Sequence, residues 1–456
     1  MKHTASSRRR FLQQSLLATG ASVIGFPAIT SSKSPNGKLN IGFIGSGGRG
    51  GSHVAEAKKM PELVDVVAMC DVNSKNLEYA AASFPQARTY KDYREMHTKM
   101  EDMDAIFVAT TEHTHAFAML PALRAGKHVY CEKPLTRDVH EARVVMEAAA
   151  KANVTTQMGT QMHATANYHR IVEKIQSGAI GQVSEVHVWV NRSWGMQPRA
   201  EAEKNGDLFV KSGLLDYIDK MPTETMAVPP QLDWDLWIGP APMRPYHDIY
   251  FPGPRWYRYW DFANGTMSDL GSHWNDLPFW ALKLDHPLTI EGGGSTPHKE
   301  IAPANMNATW TYGKRGDLAP VTVHWHQGTS RPKVLEEKNL SQWGNGVLFI
   351  GEKGMLIADY GKHVLLPEET FKGYTAPAPF IPDSPGHQKE FIECARAGKK
   401  ASCDFSYSGL LTVANHLGGV AYRAGKKIKW DHVTGKTDDE GANKLLTREY
   451  RAGWKL

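Results

Sequence analysis

The chain has 456 residues, room for two large domains, and its 41% apolar and 22% charged content is that of a globular protein with a sizeable core. Its formal charge is +5, but Lys2, Arg8, Arg9 and Arg10 supply four of those charges ahead of residue 11. Beyond them the balance is about +1, which argues against a basic nucleic-acid footprint or membrane-surface patch.

The first segment, residues 1–30, reads Ser7-Arg8-Arg9-Arg10-Phe11-Leu12-Gln13 and then turns apolar from Leu16 to Ile29. A charged start before a short apolar run is a secretory-signal pattern, and paired arginines ahead of Phe-Leu make it resemble a twin-arginine (Tat) signal. It predicts export and a periplasmic mature protein. No later apolar run reaches roughly 18 residues, so no transmembrane helix is expected in that mature protein. Residues 31–38 form a polar, turn-rich linker.

From residue 39 short apolar runs alternate with helical patterns. Strands are predicted at Leu39–Ile44, Val64–Cys70, Ala105–Thr110 and His128–Cys131, with helices at Ser52–Met60, Ala116–Ala125 and His140–Ala152. Such alternation predicts a doubly wound parallel sheet over residues 39–158. After Gly159 the texture changes: Val186, Val188 and Val190 alternate with His187 and Trp189, and Asn307–Tyr312, Val321–His326 and Val347–Ile350 look similar. Residues 159–456 therefore read as an α+β domain with a large, mostly antiparallel sheet. A long Pro-, Trp- and Tyr-rich segment between Trp194 and Phe262 reads as an ordered binding element. The cysteines Cys70, Cys131, Cys394 and Cys403 do not suggest a disulfide framework, and pairing of Cys394 with Cys403 stays open.

Three motifs carry chemistry. Gly45-Ser46-Gly47-Gly48-Arg49-Gly50 follows the first strand and opens a helix. Gly45 permits the tight turn, Gly47 lets the backbone approach a pyrophosphate, and Gly50 lets helix pack on strand. Asp71 ends the second strand, where a carboxylate accepts from ribose hydroxyls and repels a 2′-phosphate, so NAD is expected over NADP. Next, Gly126-Lys127-His128-Val129-Tyr130-Cys131-Glu132-Lys133-Pro134 puts Lys133 at the carboxyl edge of the sheet, where desolvation is expected to lower its pKa and make it a proton shuttle. Third, Asp269-Leu270-Gly271-Ser272-His273-Trp274-Asn275-Asp276 places Asp269, His273 and Asp276 on one helix face, a general-base arrangement with a carboxylate orienting the imidazole. Pro278 is awkward for that helix.

With these three motifs in this order, the chain resembles the glucose–fructose oxidoreductase / inositol dehydrogenase / rhizopine catabolism (Gfo/Idh/MocA) family over residues 39–433. The resemblance implies a Rossmann domain followed by a substrate-binding and oligomerisation domain, and a Lys133–Asp269–His273 catalytic set. It also implies that Glu132 and Lys133 reach the nicotinamide ribose and that His115 lies by the cofactor. Thr110-Thr111-Glu112 departs from the family's usual Thr-Pro-Asn/Asp. The Leu232-Asp-Trp-Asp-Leu-Trp-Ile-Gly-Pro segment and the export signal resemble an exported bacterial branch.

The expected cofactor set is Gly45, Ser46, Gly47, Arg49, Gly50, Asp71, Thr110, His115, Glu132, Lys133 and Gln161, holding a tightly bound NAD. His163, Asn167, Trp256, Tyr259 and Asp276 are candidate substrate contacts, the aromatics by stacking on a sugar ring. His324 and His326 share a strand face without an obvious third ligand, so no metal is assigned. The expected activity is hydride transfer from a secondary hydroxyl of a sugar, glycoside or polyol in a homo-oligomer. The alternatives are glycoside hydrolysis by transient oxidation, elimination and re-reduction, and non-catalytic sugar binding. Lys133 and His273 are expected to be dispensable for folding.

Overall fold

The computed structural model describes residues 37–205 and 217–456; the segment 1–30, expected from sequence to be an export signal, and nearly all of the 31–38 linker lie outside them. Six strands, β1 Leu39–Ile44, β2 Val64–Cys70, β3 Arg88–Tyr90, β4 Ala105–Val108, β5 His128–Cys131 and β6 Thr156–Met158, form a parallel sheet ordered β3-β2-β1-β4-β5-β6. β1 and β4 run as near-unbroken apolar segments because helices cover both faces of the sheet. The strand order reverses between β1 and β4, and a crevice opens there at the carboxyl ends, the place where open α/β sheets bind ligands.

Gly45 turns the chain out of β1 at φ +85°, and a side chain there would run into the Ala109 carbonyl at the end of β4. A Cβ on Gly50 would sit 2.0 Å from the Gly45 carbonyl, so the helix Gly48–Lys58 approaches its strand only because residue 50 has no side chain. That helix begins four residues earlier than the periodicity predicts. Glycines there carry no hydrophobic signal.

The second sheet contains β7 Val183–Val190, β8 Thr289–Gly294, β9 Met306–Tyr312, β10 Val321–Gln327, β11 Gly346–Gly351, β12 Gly354–Ala358, β13 His363–Leu366, β14 Ile428–Asp431 and β15 Lys436–Thr437. Its order is β13-β12-β11-β7-β10-β9-β8-β14-β15. All described pairs are antiparallel except β7 with β10. β9 and β10 alternate buried and half-buried residues, with Trp310 and Trp325 in the core, as a sheet with one packed face requires.

The long helix Phe405–Ala424 lies along this sheet and also packs on the helix Val139–Ala152 of the first layer. Helix His387–Ala397 returns to the parallel sheet, where Phe391 meets Phe107 and Tyr130 edge-on. The aromatic segment before Phe262 has its own core of Trp234, Trp237, Tyr246, Tyr250, Tyr259 and Phe262. All four cysteines are free thiols. No described helix is long and apolar enough to cross a membrane.

Candidate active site

A cleft of about 1580 Å³ runs from the glycine turn to the edge of the second sheet. Gly45, Gly47, Arg49, Asp71, Thr110, Glu132, Lys133 and Gln161 line it on the Rossmann side. Asp269, His273, Tyr257 and Trp256 close it opposite, and Trp343, Asn345, Tyr360 and Lys362 line its far end. Ser46, Gly50 and His115 are buried behind this surface.

At the Rossmann end, Asp71 Oδ2 accepts from the Ser46 and Gly47 amides at 2.8 and 3.1 Å, and Oδ1 accepts from the Asn73 amide at 2.8 Å. Ser46 Oγ also donates to Oδ2 at 3.3 Å, so the carboxylate is fixed at the end of β2 with Oδ1 left to accept from a further donor. A Cβ on Gly47 would collide with the Asn76 amide, so the turn leaves no room for a side chain where a phosphate approaches. Glycine turn, free helix amides and fixed carboxylate together fit a dinucleotide.

Glu132, at the end of β5, is a buried hub: its Oε1 contacts His53 at 2.8 Å, Gln161 Nε2 at 2.7 Å and Arg49 Nε at 3.2 Å. Burial would raise its pKa, but His53, Arg49 and Lys133 outweigh it and hold the carboxyl well below its ordinary value. His115 does not reach the cleft. Its Nδ1 faces the Pro134 carbonyl at 2.9 Å and its Nε2 the Thr110 carbonyl at 3.1 Å, bridging two loops at the sheet edge.

Lys133 Nζ makes a short ion pair with Asp269 Oδ1 and lies 3.3 Å from the Tyr257 hydroxyl. The other Asp269 oxygen accepts from Trp194 Nε1 at 2.5 Å. Desolvation pulls the Lys133 pKa down, as the sequence argument expects, but Asp269 and Tyr257 more than offset it, so the ammonium is held above its ordinary value. The expected downward shift is therefore corrected: the paired carboxylate sets the sign.

Asp269 is also not the group that orients His273. The imidazole Nδ1 lies 3.2 Å from Thr160 Oγ1, and that hydroxyl donates to the Ser272 carbonyl at 2.6 Å. With its only proton so committed, Thr160 accepts from Nδ1–H, which leaves the Nε2 lone pair for the cleft. Burial, reinforced by Lys133, lowers the His273 pKa to about 4, so the ring is neutral at neutral pH. This is a base with a fixed tautomer beside a fixed cation.

Four sequence-proposed substrate contacts lie elsewhere. The helix Gly265–Trp274 stops, and a second helix starts at Asp276, with Pro278 in its first turn where a missing N–H costs nothing. The break turns Asp276 away from Asp269 and His273 into the interior, where it meets His163 Nδ1 at 3.0 Å and the Tyr407 hydroxyl at 2.7 Å. His163 stacks on Trp280 there. Asn167 ties its helix to Asp359 O at 2.9 Å and His363 Nδ1 at 2.8 Å, supporting the cleft's far rim from behind. Tyr259 is core, packed edge-on against Tyr250. Trp256 does line the cleft and stacks on Tyr257 at 3.9 Å. Sequence reasoning missed Thr160 and Trp194; no local pattern marks residues that meet the motif helix from loops far away.

A Rossmann domain whose cleft is closed by a second, sheet-rich domain defines a two-domain dinucleotide-binding protein. Residues 39–160 match the model of the Gfo/Idh/MocA oxidoreductase family described as its NAD-binding Rossmann fold, and residues 214–319 match its C-terminal alpha/beta domain. The chain belongs to this family. It is 30% identical over 151 residues to inositol 2-dehydrogenase of Salmonella typhimurium, covering 33% of this chain and 45% of that protein. It is 28% identical over 181 residues to myo-inositol 2-dehydrogenase of Thermotoga maritima, covering 39% of this chain and 53% of that one. The chain thus spans about half the length of the curated relatives it matches. Among solved structures, the WlbA dehydrogenase of Bordetella pertussis, in complex with NADH and UDP-GlcNAcA, superposes with a TM-score of 0.58 at 17% identity, covering 86% of this chain and 99% of that one. That likeness is one of fold.

Proposed function

We propose that this protein is an NAD-dependent oxidoreductase that transfers hydride from a secondary hydroxyl of a sugar or polyol. The observation that carries the reading is the joint placement of the buried Lys133–Asp269 pair and the outward Nε2 of His273 in the cleft that begins at the glycine turn. NAD, when bound, supplies the hydride acceptor. Gly47 and the adjoining helix amides hold the phosphates, and Asp71 accepts from the ribose hydroxyls. His273 Nε2 takes the substrate hydroxyl proton, while the Lys133 ammonium donates a hydrogen bond to the same oxygen and stabilises its developing negative charge. Trp256 offers a flat apolar face to a sugar ring. Net oxidation is preferred to glycoside cleavage because the named relatives are dehydrogenases. Purified protein given NAD and a panel of polyols and sugars is expected to form reduced nicotinamide. No reduction with any of them would count against the reading.

The preference for NAD follows from Asp71. Asp71→Ala is expected to reduce discrimination against NADP by about 1–3 kcal/mol, the scale of a hydrogen bond to a charged group. Lys91, which lines the same cleft, then remains to meet a 2′-phosphate. Titrations of both dinucleotides check this, and wild-type protein that binds NADP as tightly as NAD would contradict it.

We also propose export through the Tat pathway, on the strength of Arg8, Arg9 and the apolar run after them. Replacing Arg8 and Arg9 with lysine is expected to leave the protein in the cytoplasm. Normal export of that variant would contradict the proposal.

A further inference from the structure

A second cluster of ligand-type side chains lies on the second sheet, outside the cleft. β7 and β10 run parallel and in register, with His187 opposite His324 and Glu185 two residues before His187 on the same face. The two imidazoles stack 4.8 Å apart at 15°, and both turn Nε2 toward one carboxylate oxygen: Glu185 Oε1 is 2.9 Å from His187 and 3.2 Å from His324.

From this geometry we propose that Glu185, His187 and His324 form a divalent transition-metal site, with zinc as the fitting ion. Three donor atoms lie within 4.8 Å of one another. A tetrahedral zinc with bonds near ~2.1 Å needs its ligand atoms roughly 3.4 Å apart, so small side-chain rotations seat the ion. Two imidazoles and one carboxylate are the right donor types, and they leave a fourth position for water or another ligand. Glu185 is 42% exposed, which gives the ion an entry path.

A further contact supports the arrangement. His324 Nδ1 lies 3.0 Å from Thr309 Oγ1 on β9, an outer partner that fixes the ring with Nε2 inward. The bound ion would clamp the one parallel pair among the described strands of this sheet.

A second possible cluster, His163, Asp276 and Cys403, is buried, and its Asp276 oxygens already serve His163 and Tyr407. It serves as the control. Untagged full-length protein, stripped with chelator and titrated with zinc against a chromophoric competitor, is expected to take up one tightly bound ion per chain. His187→Ala and His324→Ala are expected to weaken uptake by at least about 100-fold, the top of the range for losing even an outer partner of a ligand, and Cys403→Ser to leave it unchanged. Zinc is expected to raise Tm in wild type and not in the two histidine variants. Both histidines are partly exposed, and retained dinucleotide binding verifies that the variants fold. Equal zinc uptake by wild type and the His187→Ala/His324→Ala double variant would overturn the proposal, as would uptake abolished by Cys403→Ser alone.

Discussion

His273→Ala is expected to lower turnover by about 10²–10⁴, the usual contribution of a positioned proton-transfer group, while fold and dinucleotide binding persist. The ring lines the cleft, and its one side-chain hydrogen bond, to Thr160, is replaceable by water, so its loss opens no core cavity. The pH dependence adds a second readout. Because burial lowers the His273 pKa to about 4, kcat/KM for alcohol oxidation should stay level as pH falls through about 6.5, where an ordinary imidazole would protonate. Loss of rate appears only as pH approaches the lowered value. Wild-type turnover in the alanine variant, or an inflection near the ordinary histidine value that vanishes with His273, would contradict the assignment.

The second large effect falls on stability. Lys133 and Asp269 have side chains only 11% and 9% exposed, so each depends on the other for charge compensation. Asp269→Ala is expected to cost about 3–5 kcal/mol in denaturant unfolding, because it leaves a buried ammonium unpaired. Lys133→Ala should cost a similar amount, softened by the Trp194 N–H that Asp269 keeps. With this burial the expectation for Lys133 is revised from dispensable for folding to costly, while dispensability remains the expectation for His273. Removing both charges together, as Lys133→Met with Asp269→Leu, should recover much of the loss while abolishing turnover. An Asp269→Ala penalty below about 1 kcal/mol would mean that the pair is not desolvated in solution.

What could be read in the sequence follows the range of the interactions that set it. β1, β2 and β5 are bounded by apolar runs and read correctly to the residue, since burial on both faces leaves its mark in composition. β3 and β6 have three residues each, Arg-Thr-Tyr and Thr-Gln-Met, and exist because neighbouring strands present free ladders. The glycine turn and the Lys133 strand end were legible because a tight turn and a sheet edge impose local chemistry. The partners of Asp269 were not: helical spacing puts it beside His273, but Lys133 and Trp194 arrive from 136 and 75 residues away and claim both oxygens. Asp276 failed for a local reason. Helical periodicity assumed one continuous helix, and Asn275 ends it before Asp276. That Glu185 and His187 meet His324 could not be read from sequence, because the three come together only through strand pairing.

The central claim is hydride transfer within this cleft, and isotope transfer tests it most directly. Protein with NAD, given the active polyol or sugar from the panel deuterated at its carbinol carbons, should deliver deuterium to C4 of the reduced nicotinamide, and His273→Ala should slow that transfer by the same factor as turnover. Reduced nicotinamide without the label, or labelled product formed equally fast by the His273→Ala variant, would contradict the account.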